Sequence, residues 1–195
     1  MADQVHLSGD STIPKDHFNE VAKGNVPGSS IAIVSGYTPV ASNTSTDVWS
    51  YGDRVLTYTP LADGVATIDT ISGSSSADVG VPILIVGLTA DGTQVVQTVV
   101  LNGQGKVPLA TPLWRINIAQ NVGGTALLGE VFIYVDTAIT LGEPNDSNQV
   151  KEHIPIGRQI SKHGFYTAPK DTNVLIRDQF SSLSKQNNAS STVGR

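Results

Sequence analysis

Between Ala66 and Val135, short runs rich in Val, Ile, Leu and Thr alternate with Gly, Asp, Asn and Pro breaks. Pro82-Ile83-Leu84-Ile85-Val86-Gly87-Leu88 and Val95-Val96-Gln97-Thr98-Val99-Val100-Leu101 flank Thr89-Ala90-Asp91-Gly92-Thr93-Gln94. Two β-rich runs around an Asp-Gly pair predict a hairpin, because Gly accepts the positive φ that a tight turn demands. Further strands are expected at 30–35, 48–51, 55–59, 66–72, 113–122, 129–135, 162–168 and 173–182. In 113–119, period-two alternation places Leu113, Arg115 and Asn117 on one face and Trp114, Ile116 and Ile118 on the other. Phe132 and Tyr134 share a face in the next strand, opposite Val131, Ile133 and Val135. Strands about a dozen residues apart, with turn residues between them, predict an all-β, mostly antiparallel β-sandwich or jelly-roll-like domain.

The pattern fades towards both ends. Residues 1–28 are polar and read as an N-terminal arm, with one or two helical turns around Asp16 to Ala22 ended by Lys23-Gly24. Residues 29–180 form the β-sandwich domain. Residues 181–195, rich in Ser, Asn and Gln, read as a C-terminal tail ordered only by a partner. The hydrophilic stretch 140–149 reads as a long loop, the kind of segment that carries contacts. Trp49 and Tyr51 lie on one side of a short strand and are read as packing groups, with an aromatic sugar platform as the alternative.

Composition narrows the partners. The chain has 195 residues, a formal net charge of -5 and only 15% charged residues, so Ser, Thr, Asn, Gln and Gly must cover much of its surface. Nucleic acid is not expected, because phosphate binding needs clustered cations. Here Lys151, Arg158, Lys162, Lys170, Arg177 and Lys185 are scattered and read as solvated surface. There is no cysteine. No run approaches the roughly 20 apolar residues of a membrane helix, and Met1 to His6 show no apolar core behind a positive flank. Assembly in a cytosol is expected, away from membranes.

No arrangement of residues points to a reaction. His6, His17, His153 and His163 fall in no ligand-like spacing and are read as surface histidines. Ser74-Ser75-Ser76-Ala77-Asp78 has no neighbouring His and reads as a loop bonding its own backbone. Asp63-Gly64, Asp91-Gly92 and Asp146 lack calcium-loop spacing. Gly103-Gln104-Gly105-Lys106 lacks the remaining residues of a phosphate loop and reads as a turn between strands. No cofactor, metal, catalytic residue or small-molecule substrate is expected. An enzyme such as a depolymerase would need paired carboxylates that the chain does not offer.

Several pieces occur in a telling order. Val48-Trp49 is followed by Ile71-Ser72-Gly73-Ser74-Ser75-Ser76-Ala77-Asp78, then Ile85-Val86-Gly87-Leu88-Thr89-Ala90-Asp91-Gly92, then Gln97-Thr98-Val99-Val100-Leu101-Asn102-Gly103. The series resembles a family of tailed-bacteriophage virion structural proteins. That family has a Ser-Ser-x-x-Asp loop, a strand ending in Gly-Leu-Asp and a Glu-Thr-Val-x-Leu-Asn-Gly strand. Its Leu/Phe-x-Arg-x-Asn strand is matched by Leu113 to Asn117. Val21 to Gly28 resembles the family's segment before its first strand, and Tyr166 to Thr172 its Tyr-Thr-Val-Pro-Ala-Gly-Lys-Thr turn. Gln97 replaces the family's acidic residue, Lys170-Asp171 its Ala-Gly, and Val79-Gly80-Val81-Pro82 its Gly-x-Gly run.

The resemblance implies an all-β virion component without catalytic residues. A decoration or cement protein on the outer capsid is expected, bound to the major capsid protein and other virion proteins. It would be a homo-oligomer, for which a trimer is one form, and its location would be the virion. Phe18, Val21 and Lys23 on the arm and Glu143, Asn145, Asp146 and Asn148 in the long loop are the expected partner contacts. The alternatives are a neck or tail adaptor or fibre-base protein, and a carbohydrate-binding module stacking host glycans on Trp49, Tyr51 or Trp114.

Overall fold

The structure, a computed structural model, describes residues 17–36, 48–51, 56, 58 and 65–174. The expectations for residues 1–16, the polar loop at 41–47, most of 55–59 and the tail beyond 174 lie outside the described residues. In chain order the elements are helix α1 (His17–Ala22) and strands β1 (Ile68–Gly73), β2 (Val79–Leu88), β3 (Gln94–Asn102), β4 (Val107–Leu113), β5 (Arg115–Asn121), β6 (Val131–Val135), β7 (Ile139–Thr140), β8 (Glu143–Pro144) and β9 (Val150–Ile154). Two antiparallel sheets, ordered β4-β1-β6-β9 and β3-β2-β5, enclose the core, and β7 and β8 form a small separate hairpin. The fold is all-β and sandwich-like.

Alternation explains which face most strands bury, and on β1 an irregularity between Ile68 and Thr70 brings Ile68 and Ile71 to the same face. Ile83 and Ile85 on β2, Val99 and Leu101 on β3, Ile68 and Ile71 on β1, and Val131 and Ile133 on β6 meet between the sheets. Phe132 and Tyr134 point to the other side of β6, as the alternation predicted, and join Trp49 and Val150 in a second apolar cluster. The four-stranded sheet is therefore covered on both faces. That accounts for the unbroken apolar run Val131 to Val135, since a strand buried on both sides has no polar face to show.

The Asp-Gly pair makes its turn. Gly92 has φ +82°, and its N–H donates to Thr89 O at 3.0 Å. The eight β2–β3 pairs run from Leu88–Gln94 to Val79–Asn102. Asp91 secures the loop by accepting from the hydroxyls of Thr89 and Thr93. These bonds to its charged form hold its pKa down at about 2.

Amide side chains close the flanks of the three-stranded sheet. On β3, Gln97 donates Nε2 to Thr111 O (2.9 Å) and accepts from Thr111 N–H (3.1 Å), standing in for a strand ladder towards β4. On β5, Asn117 does the same with Thr167 O (2.8 Å) and Thr167 N–H (2.9 Å). Such pairing hides edge groups that would otherwise invite another chain.

The structure corrects several sequence expectations. Residues 30–35 form no strand and are exposed. The strands expected at 48–51 and 162–168 reduce to one bridge between Trp49 and His163. No strand is present at 173–174. The expected strand 113–122 is two: Trp114 breaks it, donating its N–H to Leu88 O at 2.7 Å where the chain passes from one sheet to the other. Pairing with β2 then slips by a residue, from Val86–Ile118 to Gly87–Ile116. The slip brings both Ile116 and Ala119 into the core and leaves Ile118 half-buried on the outside, so simple alternation fails across Asn117. Strand β4 carries Pro108 and Pro112, which suit only an edge, and it is the edge of its sheet. Strand β9 hides behind the polar centre Lys151-Glu152-His153, and all five of its residues are buried.

Candidate functional site

Two of the expected loop contacts, Glu143 and Asn145, line one ledge, and Asp146 and Asn148 lie in the turn that follows. Thr140-Leu141-Gly142-Glu143 makes a two-residue turn in which both central residues have positive φ, Leu141 at +51° and Gly142 at +83°. This is the turn geometry that matches strand twist, normally built from Asn and Gly. Gly142 is required twice over, by its φ and because a Cβ there would overlap the Gly73 carbonyl oxygen. Ser72, fully buried, donates to Gly142 O at 2.6 Å and binds the hairpin to the sheet. Leu141 is then held outwards, 73% exposed.

Beside this tip lies an open groove of about 560 Å³, with Ser74 and Gln104 on one wall and Thr140, Leu141, Glu143 and Asn145 on the other. Several loop contacts also build the ledge itself. Asn145 accepts from the Thr140 hydroxyl (2.8 Å) and donates its N–H to Ala138 O (2.9 Å). Asp146 caps the 3-10 turn Ser147–Gln149 by accepting from Asn148 N–H at 2.9 Å. Glu143 accepts from Tyr51 OH at 3.3 Å. Hydroxyls, amides, one carboxylate and one leucine thus share a rigid surface. It can bind a partner through hydrogen bonds and one apolar knob.

Of the expected arm contacts, Phe18 and Val21 lie on α1 and Lys23 directly follows it. Val21 is buried, Phe18 half-buried and Lys23 exposed. Lys23 pairs with Glu20 at 3.3 Å, and Asn25 also donates to Glu20 at 2.7 Å. Gly24, at φ +76°, ends the helix where expected.

Two histidines read as surface groups are buried. His163 Nδ1 lies 2.6 Å from Glu152 Oε2, with side-chain exposures of 3% and 1%. Its N–H does not point straight at the oxygen, so the contact is an ion pair more than an aligned hydrogen bond. Burial pulls the His163 pKa down, but the charge and bonding of Glu152 outweigh it and hold the pKa above its ordinary value. Phe165 stacks on the ring at 4.4 Å. His153 stacks on Phe132 at 5.3 Å, meets Ser50 Oγ at 3.1 Å and lies 3.7 Å from Glu130. The His153 ring nearby, against partial burial, holds the Glu130 carboxyl below its ordinary pKa. Lys151 is buried too, donating to Asn148 O at 2.8 Å. Sequence spacing could not reveal that His153 lies against Ser50, Phe132 and Glu130, because those segments are distant along the chain.

The remaining polar motifs serve the backbone. Asp78, 1% exposed, accepts from Leu128 N–H and Gly129 N–H, both at 2.9 Å. Ser74 Oγ accepts from Glu130 N–H at 2.8 Å. Gly103 to Lys106 turns the chain from β3 to β4. Trp49 and Trp114 are 1% and 7% exposed, so neither presents a ring face to a sugar. Among the described residues no group of three or more His, Asp or Glu side chains is placed to hold a metal. No match to the chain was found among protein-family models, curated proteins or solved structures.

Proposed function

We propose that this chain is a structural protein of a tailed-bacteriophage virion, a decoration or cement protein that binds the outer capsid and stabilises the head. The ordered series of sequence motifs supports the reading, and the all-β sandwich agrees with it. The observation that carries it is the ledge. An exposed leucine is held in a backbone conformation costing on the order of 1–3 kcal/mol, beside a polar groove. Strain kept at an exposed apolar tip has a purpose in contact with another surface, and several such contacts around a closed ring add through avidity. Glu143, Asn145, Asp146 and Asn148 are the contact residues in this reading, with the major capsid protein as partner and the chain itself as a homo-oligomer.

Copy number in purified particles tests it. Gel densitometry is expected to give copies on the order of hundreds, as the capsid surface offers. Roughly six to eighteen copies would instead place the protein at the neck or tail, following virion symmetry.

A further inference from the structure

Among the described residues, the outer face of the three-stranded sheet carries a row of apolar side chains with no charged group on β2 or β3. Register places Val96, Val86 and Ile118 in one row and Thr98, Leu84 and Gln120 in the next, with Val100 beside Pro82. Val96 is 59% exposed and Val100 53%. Neither β2 nor β3 contains a charged residue. The run Pro82 to Val86 is written like a strand covered on both faces, yet the core covers only one.

A second surface in the same chain is equally bare. Residues 30–35, Ser-Ile-Ala-Ile-Val-Ser, read as a strand but pair with no sheet among the described residues. Ile33 is 88% exposed, Ile31 48% and Val34 40%, and no charged residue occurs from Val26 to Gly36. At its end, Lys162 Nζ donates to Ser35 Oγ at 3.2 Å and Gly36 abuts Gly164.

We infer that residues 30–35 of one copy dock on the Val96–Val86–Ile118 face of a second copy, so that the chain assembles with itself by exchanging this segment. The argument is complementarity of charge and supply. Both surfaces are apolar and uncharged, so contact strands no ion away from water. Each copy carries one of each surface, so every surface finds its mate in a closed oligomer of identical copies. A differently charged partner would leave the two surfaces unmatched. The inference deepens the homo-oligomer reading above and rests on it, but not on a virion role, which copy number tests separately.

Sedimentation of the full chain decides it. Wild type is expected to associate at concentrations of about 1 µM and above, the weak end for an interface of standard size. Val96→Lys with Val100→Lys, and separately Ile33→Lys, are expected to be monomers with unchanged circular dichroism. Val96→Thr with Val100→Thr keeps strand-forming residues and is expected to weaken association at least about tenfold. The decisive arm mixes the two lysine variants. Each retains the surface the other has lost, so the mixture is expected to form one-to-one pairs through a single intact junction, weaker than wild type, that neither variant forms alone. A monomeric wild type, or an Ile33→Lys or Val96→Lys/Val100→Lys variant that still associates like wild type, would overturn the inference.

Discussion

His163 and Glu152 form the most consequential residue pair in the molecule, because both are buried and each compensates the other. Removing one leaves an uncompensated buried charge, which costs about 3–5 kcal/mol. His163→Ala is therefore expected to lower the urea-unfolding free energy by about that much. The pair also sets a pH dependence. The folded pKa of His163 lies above its ordinary value of 6.5. Its contribution is fully present below that value and is lost as pH rises through the raised folded pKa. Wild-type stability is expected to fall across that window, and in Glu152→Gln that slope should be gone. A slope that persists in Glu152→Gln would assign the titration to another group. Asp91 works in the opposite sense. Its support for the hairpin turn is fully present above its ordinary pKa of 3.8 and is lost as pH falls from there through the folded value of about 2.

At the scale of elements, the β7–β8 hairpin shows strain serving geometry. Leu141 sits at φ +51°, where a residue with a Cβ is disfavoured. Leu141→Gly is expected to raise stability by about 1 kcal/mol and, in the proposed decoration role, to weaken attachment to capsids in a co-sedimentation assay. Gly142→Ala should do the reverse to the fold, costing about 2 kcal/mol or more, since its Cβ meets the Gly73 carbonyl. If Leu141→Gly left capsid attachment untouched, the tip would be excluded as a contact.

For the whole molecule, the decisive pairings are far apart in sequence. Ile68 pairs with Val135, and Phe132 with His153. Such topology closes long loops before it gains contacts, so refolding is expected in milliseconds to seconds. Stopped-flow tryptophan fluorescence can follow it, because Trp49 and Trp114 are both buried in the native state. Full recovery of that signal within microseconds would contradict the topology.

Local pattern was enough for the β2–β3 hairpin, the all-β class, the two faces of β6 and the end of α1 at Gly24. Each depends on near neighbours: period-two burial, a glycine at positive φ, a helix stop. It was not enough for β4, whose two prolines are tolerable only because it lies at a sheet edge, nor for β9, whose charged centre is buried against Ser50 and His163 from elsewhere in the chain. Segment 30–35 shows the converse, since strand-forming residues alone do not supply a partner strand. The sequence by itself determined what each stretch could bury and where it could turn. Only tertiary structure decided which polar groups are satisfied, because desolvation is offset by partners that arrive from distant parts of the chain.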